Sequence, residues 1–249
     1  MEPIDLLLVT FDHVGDVKAV IERIYRFTAN PFRLLIANNG GDPVLTDYLH
    51  GLAVEKGNVM VVENPRNLYC CRATNQLLRL VQSRYAFYLC SHEAFILKHG
   101  WDQHCIESME THPKAGLGGH LSWSKYYETG ADYSRHEFFS RLRNPSFALE
   151  QKDRKFFHVQ GGFLAIRMDM AYRIGGFNEQ LEHNYMDVEY SYYAESCGWE
   201  LLSIPRVLSI HRTTQPNLEN YNLADYMVVH PLSMEKFNHL LAENPLDPP

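Results

Sequence analysis

The run Ile4-Asp5-Leu6-Leu7-Leu8-Val9 opens the segment that determines the fold. It is apolar almost throughout, which is typical of a strand buried on both faces of a sheet. Apolar residues then recur at helical spacing over 17–25, and Asp16 stands where it would cap that helix. The pattern goes on to predict a strand at 33–37, a helix at 45–55, a strand at 59–62, a helix at 70–81 and a strand at 85–90.

This alternation predicts an α/β fold with a mostly parallel central sheet and helices on both faces. Ligands of such sheets bind at the carboxyl ends of the strands. Every predicted strand end is polar, at residues 10–13, 38–42, 63–67 and 91–93. The sequence therefore predicts a polar ligand site along one edge of the sheet.

Composition narrows the class of protein. The chain has 249 residues, of which 45% are hydrophobic and 21% charged, and a net charge of −7 without a long run of Lys or Arg. That charge argues against nucleic acid as the main partner. No stretch approaches the roughly 20 apolar residues of a membrane span and no basic leader precedes the first strand, so we expect a cytoplasmic protein. Five cysteines without a CxxC spacing predict free thiols.

The second half of the chain is less regular. Residues 120–155 are rich in Tyr, Ser, Arg and Asn and are interpreted as a long insertion of the binding-loop or lid type. Its aromatic residues fit either a small satellite core or a stacking platform for sugar rings. Strand character returns over 156–167 around Gly161-Gly162, a helix is predicted at 187–197, and a strand at 201–210 is broken at Pro205.

Three clusters carry candidate chemistry, and each also has an ordinary structural interpretation. The turn from Asn38 to Asp42 could bind a base or ribose, or be a plain turn between strand and helix. His92 and Glu93 could ligate Mg²⁺ or Mn²⁺; alternatively, Glu93 caps the next segment and His92 is solvated. Asp187 could act as a base or simply cap the helix that it begins.

The order of these clusters resembles the family 2 inverting glycosyltransferases with the GT-A fold. Each matching segment lies at the end of a strand or the start of a helix. The segments are Val9-Thr10-Phe11-Asp12, residues 38–42, Asn64-Pro65-Arg66-Asn67 through Asn75, Tyr88 to Glu93 at the place of the Asp-x-Asp motif, 161–167, 175–179, 186–187 and Ile210-His211. The likeness covers about residues 4–212 and is most specific over 161–198.

The resemblance implies a role for particular residues. Those implied to hold the nucleotide-sugar donor are Thr10, Asp12, Asn38, Asn39, Arg66, Arg72, Ser91, Gly161 and Gly162. Glu93 and His211 would bind a divalent cation, Mn²⁺ or Mg²⁺, near the diphosphate. Asp187 would be the general base, taking a proton from an acceptor hydroxyl. The implied partners are a nucleotide-diphosphate sugar and a carbohydrate-type acceptor, for example in the biosynthesis of a surface polysaccharide; a homo-oligomer is left open.

The sequence also departs from the family in two places. Ser91-His92-Glu93 supplies one carboxylate where the family has two, so the metal is either weakly bound or dispensable. Met186 stands where the family has a Glu before the base. The alternative is therefore a non-catalytic GT-A-like module that binds a nucleotide or a glycan. The predicted organisation is a single domain over 1–212, with a nucleotide-binding part at about 1–95 and an acceptor part at about 96–212, and a tail at 213–249 packed on it.

Overall fold

The computed structural model describes residues 2–91, 93–96, 99–123, 142–144, 157–182, 186–204 and 208–211. The strands in this part of the chain are β1 Ile4–Thr10, β2 Phe32–Asn38, β3 Val59–Glu63, β4 Tyr85–Cys90, β5 Glu93–Ile96, β6 Ala115–Gly119, β7 Leu121–Trp123, β8 Phe157–Val159, β9 Phe163–Arg167, β10 Glu200–Ser203 and β11 Leu208–His211. The helices are α1 Val14–Phe27, α2 Pro43–Lys56, α3 Tyr69–Leu78, α4 Trp101–Thr111, α5 Met168–Ile174 and α6 Met186–Ser196.

A seven-stranded sheet forms the centre of the described residues, in the order β10-β6-β9-β4-β1-β2-β3. The pairs β1–β2, β1–β4, β2–β3 and β6–β10 are parallel, whereas β9 runs antiparallel to both β4 and β6. The predicted α/β class and mostly parallel sheet are confirmed. Two small antiparallel sheets, β5–β11 and β7–β8, lie outside it.

Helices cover both faces of the central sheet, as predicted. Leu6 and Leu8 of β1 pack in one core with the apolar faces of α1, α2 and α4. Leu7, between them, faces the opposite core, which contains the apolar residues of α3, α5 and α6. All three leucines are fully buried. Alternate residues of a strand point to opposite faces, so an apolar run is needed when both faces are covered.

The start of α1 differs from the prediction. The helix begins at Val14, and its N-cap residue is His13, whose φ of 57° is left-handed; Asp16 lies in the first turn instead of capping it. An acidic residue in the first turn still interacts favourably with the helix dipole. The helix α2 begins at Pro43, where Asp42 accepts a hydrogen bond from the backbone N–H of Val44 at 2.8 Å.

Two predicted strands are each divided between sheets. Residues 156–167 form β8 and β9, because the chain turns at Gly161-Gly162 and β9 enters the central sheet while β8 pairs with β7. The strand predicted over 201–210 is also divided: β10 ends at Ser203 in the central sheet, and β11 begins at Leu208 and pairs with β5. Pro205, the predicted break, lies outside the described residues. Periodicity reports strand character within one segment, but not which neighbour the strand pairs with.

Several elements have no counterpart in the sequence prediction. These are β5, α4, β6, β7 and α5. The helix α3 also ends at Leu78, before the predicted end. The strand β6 is Ala-Gly-Leu-Gly-Gly, which has little strand propensity of its own. Side chains at Gly116 and Gly118 would overlap Met170 and Ile204, so close packing against neighbouring elements selects these glycines.

Part of the predicted insertion and the whole tail lie outside the described residues. Of the segment 120–155, the structure describes 120–123 and 142–144; the tail at 213–249 falls beyond the described part, so the division of the chain into parts stays a prediction. All five cysteines are free, as predicted. No helix among the described residues is both long and apolar enough to cross a membrane.

Candidate active site

The carboxyl ends of four neighbouring strands meet at one edge of the sheet. The register pairs Thr10 with Asn38, Asn38 with Glu63, and Val9 with Cys90, so the strands end at the same level. A small pocket opens at this edge. Its lining residues are Val9, Thr10, Phe11, Asn39, Asn67, Tyr69, Cys70, Tyr88, Cys90 and Ser91. Thr10, Asn39 and Ser91, three of the predicted donor-binding residues, are therefore brought together.

The turn after β2 is packed backbone to backbone against its neighbours. A Cβ atom at Gly41 would overlap the carbonyl oxygen of Phe11, and one at Gly40 would lie 3.0 Å from the backbone of Arg66. The backbone N–H of Asn39 donates to the carbonyl of Thr10 at 2.8 Å. The two glycines thus allow three loops to meet at the pocket, a packing role that the sequence did not reveal.

The amide of Asn39 is fully used within the protein. Its Nδ2 donates to Asn67 Oδ1 at 2.9 Å and to the carbonyl of Tyr69 at 3.3 Å. Its Oδ1 accepts from Asn64 Nδ2 and from the backbone N–H of Leu68, both at 3.1 Å. Four hydrogen bonds satisfy a side-chain amide, so Asn39 holds the walls of the pocket in place. Its contact with a nucleotide stays a prediction.

Asn38 and Asp12 are held differently. Both donors of the Asn38 amide are used, by Thr46 Oγ1 and by Glu63 Oε2, each at 2.8 Å. Asp12 Oδ2 lies 3.4 Å from Nε2 of His13. Neither Asn38 nor Asp12 belongs to the lining of the pocket. The positions of Asn38 and Asp12 therefore do not support a role in donor binding, and these roles stay predictions.

Tyr69 is a pocket residue that the sequence did not single out. It begins α3 with a φ of 59°, a left-handed conformation that is strained for an aromatic residue. Asn67 Oδ1 stabilises it by accepting its backbone N–H at 2.8 Å. The side chain is 37% exposed. Strained backbone conformations are common at ligand sites, and the local sequence contains no signal that predicts such a conformation.

Asp187 lies at the start of α6 and its carboxylate is held by two backbone donors. Oδ2 accepts from the N–H of Gly161 at 2.7 Å, and Oδ1 accepts from the N–H of Val188 at 2.9 Å. The side chain is 19% exposed. Two backbone N–H donors thus fix the orientation of this carboxylate at the N-terminus of α6. The geometry supplies a fixed, partly exposed carboxylate.

The Gly161-Gly162 turn connects Asp187 to the strand ends. A Cβ atom at Gly161 would lie 3.0 Å from Asp187 Oδ2, so only glycine leaves the carboxylate undisturbed. The carbonyl of Gly162 accepts the backbone N–H of Cys90 at 3.0 Å, next to Ser91 in the pocket wall. The turn therefore links the candidate base to the pocket through two hydrogen bonds.

Glu93 and His211 are paired across the small sheet. The strands β5 and β11 run antiparallel in a register that sets Glu93 directly opposite His211. The two residues come from segments 118 positions apart in sequence (211 − 93), and both had been predicted as metal ligands. The described residues contain no group of three or more His, Cys, Asp or Glu side chains arranged for a metal ion. The register places the two residues opposite each other, and their role as metal ligands stays a prediction.

Comparison with known proteins identifies the family. The model of glycosyl transferase family 2 matches residues 6–175. The chain belongs to glycosyl transferase family 2. The matched region contains most of β1, all of β2 to β4, the pocket and the Gly161-Gly162 turn, but ends before Asp187. No curated protein sequence matches this family 2 chain.

Solved structures with the same fold include glycosyltransferases. The mannosyltransferase PcManGT from Pyrobaculum calidifontis, in complex with GDP-Man and Mn²⁺, superposes with a TM-score of 0.61 at 12% identity, over 86% of this chain and 58% of that one. GalNAc-T7 with UDP, GalNAc and Mn²⁺ gives a TM-score of 0.62 at 13% identity, over 84% and 43% respectively. The chain thus spans about half the length of these proteins, and the likeness establishes a GT-A fold.

A second acidic residue of α6 in this family 2 chain has a structural role. Glu189 is fully buried, and its carboxylate accepts from Nε and Nη2 of Arg143 at 2.9 and 2.7 Å. The same guanidinium donates to the carbonyl of Gly176 at 2.8 Å and lies 3.9 Å from the centre of the Tyr193 ring. Residues two apart on a helix point in different directions, so Glu189 cannot assist Asp187 directly.

The two arginines predicted at the phosphates lie outside the pocket lining. Arg66 is exposed on the loop after β3. Arg72, in α3, is half exposed, and its Nε lies 3.8 Å from Glu179 Oε2.

Asn75 of α3 has a packing role. Its side-chain amide donates to the carbonyl of Phe177 at 2.9 Å and accepts the backbone N–H of the same residue at 2.8 Å. It clamps the Gly175-Gly176 turn onto the helix.

Proposed function

We propose that this family 2 chain transfers a sugar from a nucleotide-sugar donor to a carbohydrate or glycosylated acceptor, with inversion. Asp187 acts as the general base. The observation that carries the proposal is the carboxylate of Asp187, fixed by Gly161 and Val188 and linked by the Gly161-Gly162 turn to the pocket at the strand ends. A module that only binds nucleotide or glycan has no need of an aligned carboxylate there.

The reaction needs one proton acceptor and one leaving group. The acceptor hydroxyl attacks the anomeric carbon from the face opposite the diphosphate, its proton passes to Asp187, and the carbon–oxygen bond to the diphosphate breaks with its electron pair staying on the phosphate. A positioned base contributes on the order of 10²–10⁴ to such a step. Because attack and departure occur on opposite faces, the configuration at the anomeric carbon inverts.

We assign the donor to the pocket at the carboxyl ends of β1, β2 and β4. Thr10 and Ser91 offer buried polar groups, and the exposed ring of Tyr69 offers a surface on which a base can stack. PcManGT was solved with GDP-Man and GalNAc-T7 with UDP, which supports a nucleoside-diphosphate ligand for this fold. Arg66 and Arg72 remain candidates for the phosphates, each after a change of side-chain conformation.

Glu93 and His211 would hold a divalent cation, which both of these relatives contain as Mn²⁺. When bound, the cation would neutralise charge on the leaving diphosphate. If these two residues form the metal site, Glu93→Gln will remove the Mn²⁺ dependence of nucleotide binding.

The proposal is tested by separating binding from turnover. Thermal unfolding is followed with UDP, GDP, dTDP and CDP, each with and without Mn²⁺; a ligand at 100 times its dissociation constant adds roughly 2.7 kcal/mol. The nucleotide sugars of the binding nucleotide are then assayed for release of the nucleoside diphosphate. Asp187→Asn should lower turnover about 10²-fold or more and keep the nucleotide-induced shift.

Each outcome has a distinct meaning. Loss of turnover and of the nucleotide shift together in Asp187→Asn would contradict its assignment as base. A wild-type protein that binds a nucleotide but does not turn over any of its sugars would favour the alternative, a non-catalytic binding module. Retention of the anomeric configuration in the product, measured by NMR, would contradict inversion.

A further inference from the structure

A buried histidine lies beside the candidate base. His158, in β8, is nine-tenths buried, and its Nε2 is 3.9 Å from Asp187 Oδ2. This distance is beyond hydrogen-bonding range. The strand is fixed against α6, because the backbone N–H of Val159 donates to Ser191 Oγ at 3.0 Å. The imidazole is therefore held next to the carboxylate without a hydrogen bond between them.

Both oxygens of the Asp187 carboxylate are already engaged by the backbone. Each of them accepts a backbone N–H, from Gly161 and from Val188. A proton taken from an acceptor hydroxyl therefore arrives at an oxygen that already accepts a hydrogen bond. A second proton acceptor beside the carboxylate would return both oxygens to this hydrogen-bonded arrangement after each turnover.

His158 can be that acceptor at neutral pH. Burial lowers the pKa of its imidazole; the negative charge of Asp187 opposes this shift, and His120 adds to it. Asp187 and His120 are the titratable groups that act on this ring in the described part of the chain. The imidazole is therefore uncharged at pH 7. Its Nδ1 has no hydrogen-bond partner among the described residues, so no contact there fixes the proton on one nitrogen.

We infer that His158 and Asp187 form one acid–base pair, in which His158 receives from Asp187 the proton taken from the acceptor hydroxyl. The inference rests on the proposed function. The acceptor O–H bond breaks, the bond from that oxygen to the anomeric carbon forms, and the diphosphate leaves with its electron pair. Because Nε2 of His158 lies 3.9 Å from Asp187 Oδ2, the proton passes from Asp187 to that nitrogen through one bridging water, and then to solvent. His158 acts through Asp187 and does not contact the sugar.

The coupling is tested first without any substrate. The ring nitrogens of the 13 histidines are followed by NMR across pH in the wild-type chain and in Asp187→Asn. The titration of His158 should move to lower pH in Asp187→Asn, because the charge that stabilises its imidazolium form is gone. His158→Gln identifies the signal, and His120→Gln serves as the control for a neighbouring imidazole. A His158 titration that is identical in the wild type and in Asp187→Asn overturns the pairing.

The transfer step is tested by turnover of GDP-mannose and UDP-GalNAc with Mn²⁺ over pH 5–9. In the wild type, the rate falls on the acid side as His158 becomes protonated and can no longer accept a proton. In His158→Gln, kcat should fall roughly tenfold or more at an unchanged donor KM. Its acid limb should also move to lower pH, because the imidazole that titrates in the wild type is absent. A histidine with only a structural role would leave that limb in place.

The two hypotheses fail in different ways. Full activity of Asp187→Asn would remove the proposed base and this inference with it. An inactive Asp187→Asn together with a His158→Gln enzyme that has the wild-type kcat and acid limb would overturn the inference alone. If His158→Gln does not fold, or neither donor is turned over, the NMR comparison of the wild type with Asp187→Asn decides.

Discussion

At the scale of single residues, glycines fix the geometry of this site. Gly41 and Gly40 let the loops after β1, β2 and β3 meet, and Gly161 lets the backbone approach Asp187. In each case the reason for glycine is the absence of a Cβ atom, and at Gly40 a φ of 78° adds a second reason. The catalytic proposal depends most directly on Gly161.

We predict that Gly161→Ala impairs catalysis more than stability. The added Cβ would lie 3.0 Å from Asp187 Oδ2 and 3.1 Å from its Cβ, so the carboxylate must move. A displacement of about 1 Å at a catalytic group lowers the rate about 10²-fold. Nucleotide binding, measured by thermal shift, should not change.

Gly51→Ala is the matched control for this substitution. Gly51 lies within α2, and a Cβ atom there meets nothing within 4 Å. Alanine in a helix interior is favoured over glycine by roughly 0.5–1 kcal/mol, so this variant should keep its activity and be slightly more stable. A Gly161→Ala enzyme with the kcat of the Gly51→Ala enzyme would show that the carboxylate is not constrained as described.

At the scale of secondary-structure elements, α6 joins the site to the insertion. Its first turn presents Asp187, and Glu189 holds Arg143 from the segment 142–144. Tyr192 of the same helix donates from its hydroxyl to the carbonyl of Asn144. Leu142 is 8% exposed, so all three residues of this segment are anchored. The helix and the segment 142–144 are therefore held together.

Arg143→Ala should destabilise the protein strongly. It leaves the carboxylate of Glu189, which is 0% exposed, without its guanidinium partner. Removing one partner of a buried ion pair typically costs about 3–5 kcal/mol. Urea unfolding of the wild type and the variant measures the loss. Glu189→Gln in the Arg143→Ala background should recover part of it, because the buried charge is then removed.

Arg173→Ala is the surface control for Arg143→Ala. Arg173 and Asp169 of α5 form an ion pair at 3.5 Å, and their side chains are 69% and 68% exposed. Exposed pairs contribute about 0–1 kcal/mol. Equal losses in the two variants would mean that the Arg143 pair contributes no more than a surface contact.

At the scale of the whole molecule, one edge of the sheet carries the candidate site, and the opposite edge carries buried hydrogen bonds that join the strands. The carboxyl edge carries the pocket and the Gly161-Gly162 turn. At the opposite edge, Asp5 is 1% exposed and accepts from Arg33 Nε at 2.7 Å and from the backbone N–H groups of Gln82 and Ser83 at 2.8 and 2.9 Å. Asp5 thus ties β1 to β2 and to the segment before β4.

We predict that Asp5→Asn lowers stability without affecting nucleotide binding. The buried hydrogen bonds to a charged group are weakened, at a cost of about 2–3 kcal/mol. Thr10 is five residues further along the same strand, which is about 17 Å from Asp5. Urea unfolding should show the loss, while the nucleotide-induced thermal shift is retained. The exposed Asp47→Asn is the control, and a loss of nucleotide binding in Asp5→Asn alone would contradict this division of the sheet.

The alternation of buried strands and amphipathic helices was sufficient to predict the α/β class over the first ninety residues. Apolar strands covered on both faces and helices with one apolar stripe are local patterns, which a sequence displays directly. The position of the pocket was predicted as well, because the carboxyl ends of parallel strands lie along the same edge of a sheet. The order of the clusters along the chain predicted membership of family 2, and the match of the family model to residues 6–175 confirms it.

Tertiary structure alone determined how these pieces combine. The sequence could not show three arrangements: the division of the strand predicted at 156–167 between two sheets, the position of His211 opposite Glu93, and the ion pair between Arg143 and Glu189. Each of them depends on contacts between residues far apart in the chain. The same holds for the position of His158: the sequence makes His158 and His183 candidates for acceptor contact, but only the fold sets the ring of His158 beside Asp187. Local periodicity encodes which face of an element is buried, whereas pairing between distant elements is decided only when the whole chain packs.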